Sequence, residues 1–150
     1  MANSRFHDKQ DPHMVGTDLR AFHFISKGKT RILLWELTDS ISSCPEDLEL
    51  SAGFMLEGFE VTDLDNNGLG ETWLIYKMSC RGDVSPATMK IAMHEGVKKY
   101  LICGENRVPY KDGKYLGGQR EMDDNFINGP KQFSEFGSAL WDRFIDETFK

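Results

Sequence analysis

The chain has 150 residues, with 18 Lys and Arg against 24 Asp and Glu and a formal net charge of −6. A chain of that length buries roughly two-thirds of its unfolded surface, enough for a core without metals or disulfides. Its 39% hydrophobic and 28% charged residues exclude a disordered tail, a collagen-like repeat and a coiled coil, no apolar run is long enough for a membrane-spanning helix, and a general nucleic-acid binder would need a basic face.

Residues 1–18 are polar and interrupted by Pro12, and they read as a loose polar arm ahead of a single α+β domain over 19–150. Phe22-His23-Phe24-Ile25 and Ile32-Leu33-Leu34-Trp35-Glu36-Leu37 flank Ser26-Lys27-Gly28-Lys29, a hairpin pattern. A polar stretch from Thr38 to Glu49 follows. Strands are expected over Phe54 to Thr62 and Thr72 to Ser79. Met89, Ile91 and Met93 alternate with Lys90, Ala92 and His94, which predicts a half-buried strand by its period of two. Glu95-Gly96-Val97-Lys98 turns it into Lys99 to Cys103. Short strands without helices between them predict an antiparallel β-meander. Asn128-Gly129-Pro130 then reads as a helix start with Pro at the first helical position. Phe133, Phe136, Leu140 and Phe144 recur at intervals of three and four, with Trp141 and Ile145 beside them, so a C-terminal amphipathic helix is expected to pack on the sheet.

The negative charge is local. From Glu36 to Glu71 there are ten acids and no Lys or Arg, so the rest of the chain is +4. Within that window, Asp63-Leu64-Asp65-Asn66-Asn67-Gly68-Leu69-Gly70-Glu71 places side-chain oxygens at positions 1, 3 and 5, a Gly at 6 and an acid at 9. Ca²⁺ is a hard cation that takes six to eight oxygens. Asp63, Asp65, Asn67 and Glu71, with the carbonyl of Leu69, are the candidate ligands of a structural Ca²⁺. An EF-hand would carry a Glu at position 12, where this chain has Leu74, and its flanks would be helices. The match is better to the strand–loop–strand calcium loops of integrin-type (FG-GAP-like) β-rich modules. The competing reading is a type I′ hairpin turn at Asn67-Gly68.

Three cysteines, Cys44, Cys80 and Cys103, permit one bridge and a free thiol or three free thiols. Cys103 lies in an apolar run and reads as a buried strand residue. A bridge between Cys44 and Cys80 would close a loop around most of the acidic window. Catalytic signatures are missing: there is no G-x-S-x-G elbow, no H-E-x-x-H and no phosphate-cradling Gly loop. A thiol–imidazole pair such as Cys103 with His94 is one that a hairpin could bring near. Arg81-Gly82-Asp83, followed by Ser85-Pro86, reads as a turn.

The joint pattern Val61-Thr62-Asp63-Leu64-Asp65, Asn67-Gly68, Leu74-x-Tyr76-Lys77, Cys80-x-Gly82-Asp83-Val84-Ser85-Pro86, Met89-Lys90-Ile91 and Glu95-Gly96 resembles a bacterial family, described as surface polysaccharide biosynthesis proteins, of largely Bacteroidota-like bacteria. The likeness runs upstream through Phe22-His23-Phe24 and Cys44-Pro45-x-Asp47 and downstream through Gly129-Pro130 to the Trp141 helix, covering about Leu19 to Ile145. It implies that Cys44 and Cys80 are paired and Cys103 is incidental. It also implies a periplasmic or cell-surface location, because such proteins tend to carry an upstream region and an export leader. Met1–Asp8 has no apolar run of that kind, which leaves a cytoplasmic location open. The leading expectation is a non-catalytic calcium-binding envelope domain with a glycan or protein partner and no nucleic acid. The alternatives are an interaction protein, such as an immunity-type inhibitor of a secreted toxin, and an envelope glycan hydrolase.

Overall fold

The structure, a computed structural model, describes residues 1–147. The chain is α+β: antiparallel strands followed by a C-terminal helix packed on a sheet. It divides into two compact units, Met1–Gly53 with Met78–Gly82, and Phe54–Lys77 with the chain from Asp83 onward.

The first unit is built on β1 (Ala2–His7), β2 (Met14–Lys27) and β3 (Thr30–Pro45), an antiparallel sheet in that order. Val15, Leu19 and Ala21 of β2 and Trp35 and Leu37 of β3 are buried, while Arg20, Phe22, Glu36 and Thr38 are exposed, the period-two pattern of a sheet with one covered face. Lys27 pairs with Thr30, so Gly28-Lys29 forms a two-residue turn. Gly28 has φ +64° and Lys29 is not among the left-handed residues, the pattern of a type II′ turn whose first position favours Gly. Gly16 is a close approach: a Cβ there would collide with the Phe6 ring. Cys44 and Cys80 form a disulfide, Sγ atoms 2.11 Å apart, across a sequence separation of 36. Closing a loop of that length removes about 4 kcal/mol of unfolded-state entropy.

The N-terminal residues therefore correct the expectation of a loose arm over 1–18. Ala2 to His7 pair with Arg20 to Val15, and β2 runs straight through the expected boundary at 18/19. The polar stretch after Thr38 is likewise the second half of β3, as far as Pro45; its Thr and Ser face solvent.

The second unit contains β5 (Glu60–Thr62), the start of β6 (Glu71–Arg81), β7 (Thr88–Glu95), β8 (Lys98–Glu105), β9 (Arg107–Pro109), β10 (Tyr115–Gly117), β11 (Arg120–Met122), α1 (Asp124–Asn128) and α2 (Lys131–Phe144). The main sheet of this unit has the order β11-β8-β7-β6, and β5 also pairs with β6; β4 is Glu49–Phe54. The expected strand from Phe54 to Thr62 is interrupted by a single 3₁₀ turn at Leu56–Gly58, closed by Gly58 N–H to the Met55 carbonyl at 3.0 Å. Gly58 is buried there, and a Cβ in its place would run into Ile75 and Phe144.

One face of this sheet and α2 make the core. Trp73, Ile75, Met89, Ile91, Met93, Tyr100 and Ile102 meet Phe126, Phe133, Leu140, Trp141 and Ile145. The helix comes close at Gly137, where a Cβ would stand 2.8 Å from Ile102 Cδ1. Pro130 is the residue before the helix, one position earlier than expected. Asp123 caps α1, accepting from Phe126 N–H at 3.0 Å, and its other oxygen takes Leu101 N–H at 3.0 Å, which ties the short helix to β8. His94, expected on a polar face, is buried, and Cys103 is half-buried rather than buried.

Candidate metal site

The Asp63–Glu71 loop joins β5 to β6. Thr62 pairs with Glu71, so residues 63–70 lie between the strand ends. That span is too long for the two-residue turn that Asn67-Gly68 suggests. Asn66 at φ 57° and Gly68 at φ 83° are both left-handed and fold the loop back on itself.

Glu71 is the fixed point. It is fully buried, both carboxylate oxygens accept from Leu64 N–H at 3.0 Å, and Oε2 accepts the Thr62 hydroxyl at 2.6 Å. The Thr62 oxygen in turn accepts from Trp73 Nε1 at 2.9 Å, so an indole in the core sets the carboxylate's position through one hydroxyl. Leu64 packs against the same core. The end of α2 holds the strand below, through an ion pair from Arg143 to Glu60.

The rest of the loop is organised by side chains on backbone. Asp63 Oδ2 accepts from Gly68 N–H at 3.2 Å, Asp65 Oδ1 from Asn67 N–H at 3.2 Å, and Asn67 Oδ1 from Leu69 N–H at 2.8 Å. The Asn67 amide donates to Asp65 Oδ2 at 3.0 Å and to Glu95 Oε2 at 2.8 Å, which links the loop to the β7–β8 turn. Exposed Asp63, half-buried Asp65 and buried Glu71 each offer an oxygen, and these lie within 4.8 Å of one another. Among the described residues no Lys or Arg is ion-paired with any of the three. Hard oxygen donors at this mutual spacing suit a hard divalent cation.

Of the five expected ligands, then, three are gathered. Asn67 is close by, but its oxygen is engaged with Leu69 N–H and would have to turn to reach a cation. Leu69 has an exposed side chain, as a residue contributing only its carbonyl would. Sequence reasoning missed Thr62, Trp73 and Glu95. Thr62 alone was findable, since hairpin register sets it opposite Glu71. Glu95 lies 28 residues from its partner Asn67, and no local motif announces it.

The pairing of Cys103 with His94 is not made. Register sets Cys103 opposite Lys90 and His94 opposite Lys99, four residues apart along β7, or about 13 Å at strand rise. Asp83 accepts from Ser85 N–H at 2.9 Å, the local turn expected after Arg81-Gly82. No protein-family model matches the chain, and no curated protein or solved structure matches it significantly.

Proposed function

We propose that the protein is a non-catalytic calcium-binding domain, with Ca²⁺ held between Asp63, Asp65 and Glu71 and completed by Asn67 and the Leu69 carbonyl. The observation that carries this reading is the convergence of three carboxylate oxygens within 4.8 Å with no Lys or Arg ion-paired with them among the described residues. Like charges at that separation repel, and a divalent cation relieves the repulsion while replacing the lost hydration. The ion is structural in this reading: it would lock residues 63–70 between two strands rather than activate water.

The Cys44–Cys80 disulfide supports an oxidising compartment, and hence a periplasmic or cell-surface location. The association with surface polysaccharide rests on the sequence resemblance alone. The test is thermal melting of chelator-stripped protein with and without millimolar Ca²⁺, alongside Asp63→Asn with Asp65→Asn. A stabilisation by Ca²⁺ that the double variant lacks supports the site. Equal behaviour of the two proteins removes it.

A further inference from the structure

The β2–β3 hairpin of the first unit ends in a patch that the calcium reading does not use. Phe22, Phe24, Ile25, Ile32 and Leu33 are each between 41 and 52% exposed. Phe24 is paired with Leu33 and Ile25 with Ile32, on successive rungs, and the Phe22 and Phe24 rings lie 6.3 Å apart. Together they expose on the order of 400 Å² of apolar surface, divided between the two faces of the hairpin end; a total of that size matches the largest patch of an ordinary monomer, which is often functional. Because Phe24 and Ile25 are consecutive strand residues, the apolar groups sit on both faces of the hairpin end.

The charge here is opposite to that of the whole chain. Between Asp18 and Glu36 the chain carries four cations and no acid, in a protein of net −6; Arg20 is ion-paired with Asp18 at 3.2 Å, which leaves Lys27, Lys29 and Arg31. Three of the four lie at or beside the turn.

We infer that this hairpin end docks on an anionic lipid surface. A two-faced apolar end needs an occupant that closes around both faces, which a fluid interface does and a flat protein surface does not. Aromatic and aliphatic side chains enter the headgroup–acyl boundary, while Lys27, Lys29 and Arg31 extend their stems along it and leave their charges at the phosphates. A second copy is the competing occupant, since β3 is a sheet edge. Pairing two copies would cover one edge only and would bring Lys27, Lys29 and Arg31 of each together.

The test is co-sedimentation with phosphatidylcholine vesicles, either pure or about one-third phosphatidylglycerol. It is run in chelator, so that the calcium loop plays no part and its failure would be seen separately. The wild-type chain should bind the anionic vesicles, more weakly as salt rises. Lys27→Ala with Lys29→Ala should weaken partitioning about 25-fold, from roughly fivefold per cation. Phe22→Ser with Phe24→Ser should weaken it about tenfold per ring, and Lys111→Ala with Lys114→Ala, exposed cations of the other unit, should leave it unchanged. Melting curves confirm that each variant is folded, and the lysine pair keeps the test decisive if the phenylalanine pair is not. No binding to anionic vesicles at low salt, equal binding to neutral ones, or equal loss in the Lys111/Lys114 variant would overturn the inference. So would a dimer seen by light scattering that Phe22→Ser with Phe24→Ser abolishes.

Discussion

Replacing Glu71 by Gln separates the two roles this residue is given, as an anchor and as a ligand. The substitution keeps the shape but puts an amide where Leu64 N–H donates to both oxygens and the Thr62 hydroxyl to one. Whichever way the amide turns, one buried donor loses a charged acceptor, a loss of about 1.5–3 kcal/mol. Removing one of three neighbouring charges works the other way, but two of the three carboxylates have access to solvent, which holds that gain below about 1 kcal/mol. The anchor therefore wins, and in chelator the variant should melt about 3–10 °C lower than the parent. Calcium adds a second, independent difference. At ten times a millimolar-range Kd the native state gains RT ln 11, about 1.4 kcal/mol, or roughly 3–6 °C for a chain of this size. The parent should show that gain and Glu71→Gln should not. Paired melts in chelator and in excess Ca²⁺ read both numbers. If the variant gains as much from Ca²⁺ as the parent, Glu71 is not a ligand. If the chelator melts coincide, the account of the Thr62–Glu71–Trp73 anchor is wrong.

Other consequences concern the frame around the site. Gly137→Val should destabilise the protein by about 1–3 kcal/mol in urea titrations, because its Cβ is already within 2.8 Å of Ile102 and the helix would have to lift. Trp141→Ala leaves a hole under a fully buried ring and should lower stability by about 3–5 kcal/mol, by the same assay. Reducing Cys44–Cys80 should lower the urea midpoint by an amount equivalent to about 4 kcal/mol, and alkylation without reductant should add a single group, at Cys103. Hydrogen bonds from the Arg107 guanidinium hold the Asp146 carboxyl below its ordinary range. The stability it contributes is present above the unfolded carboxylate's pKa and is lost as pH falls through the lower folded one. Asp146→Asn should therefore flatten the fall in urea midpoint between neutral pH and about pH 3, by little for so exposed a pair.

Much of the second unit was legible. Met89, Ile91 and Met93 announce β7 by alternation, and Phe133, Leu140 and Trp141 announce α2 by spacing, because those side chains do meet in one core. What escaped has physical reasons. β1 is an edge strand of exposed residues such as Asn3, Ser4 and Arg5, with no buried period to read, and its register is visible only once β2 exists. The second half of β3 hides behind Thr and Ser on its solvent side. β9, β10 and β11 have three residues each, too few for a period. At the candidate site, the acidic residues that gather were readable from spacing within one loop. The contacts that orient them were not, because Trp73 acts through Thr62 and Glu95 arrives from a different turn.

Calorimetric titration of Ca²⁺ into metal-free protein reads the proposed coordination by Asp63, Asp65 and Glu71 itself. One saturable site per chain is expected, with Kd between the micromolar and millimolar ranges and no comparable heat in Asp63→Asn with Asp65→Asn. Absence of saturable heat at millimolar Ca²⁺, or a site that survives that double substitution, would contradict it.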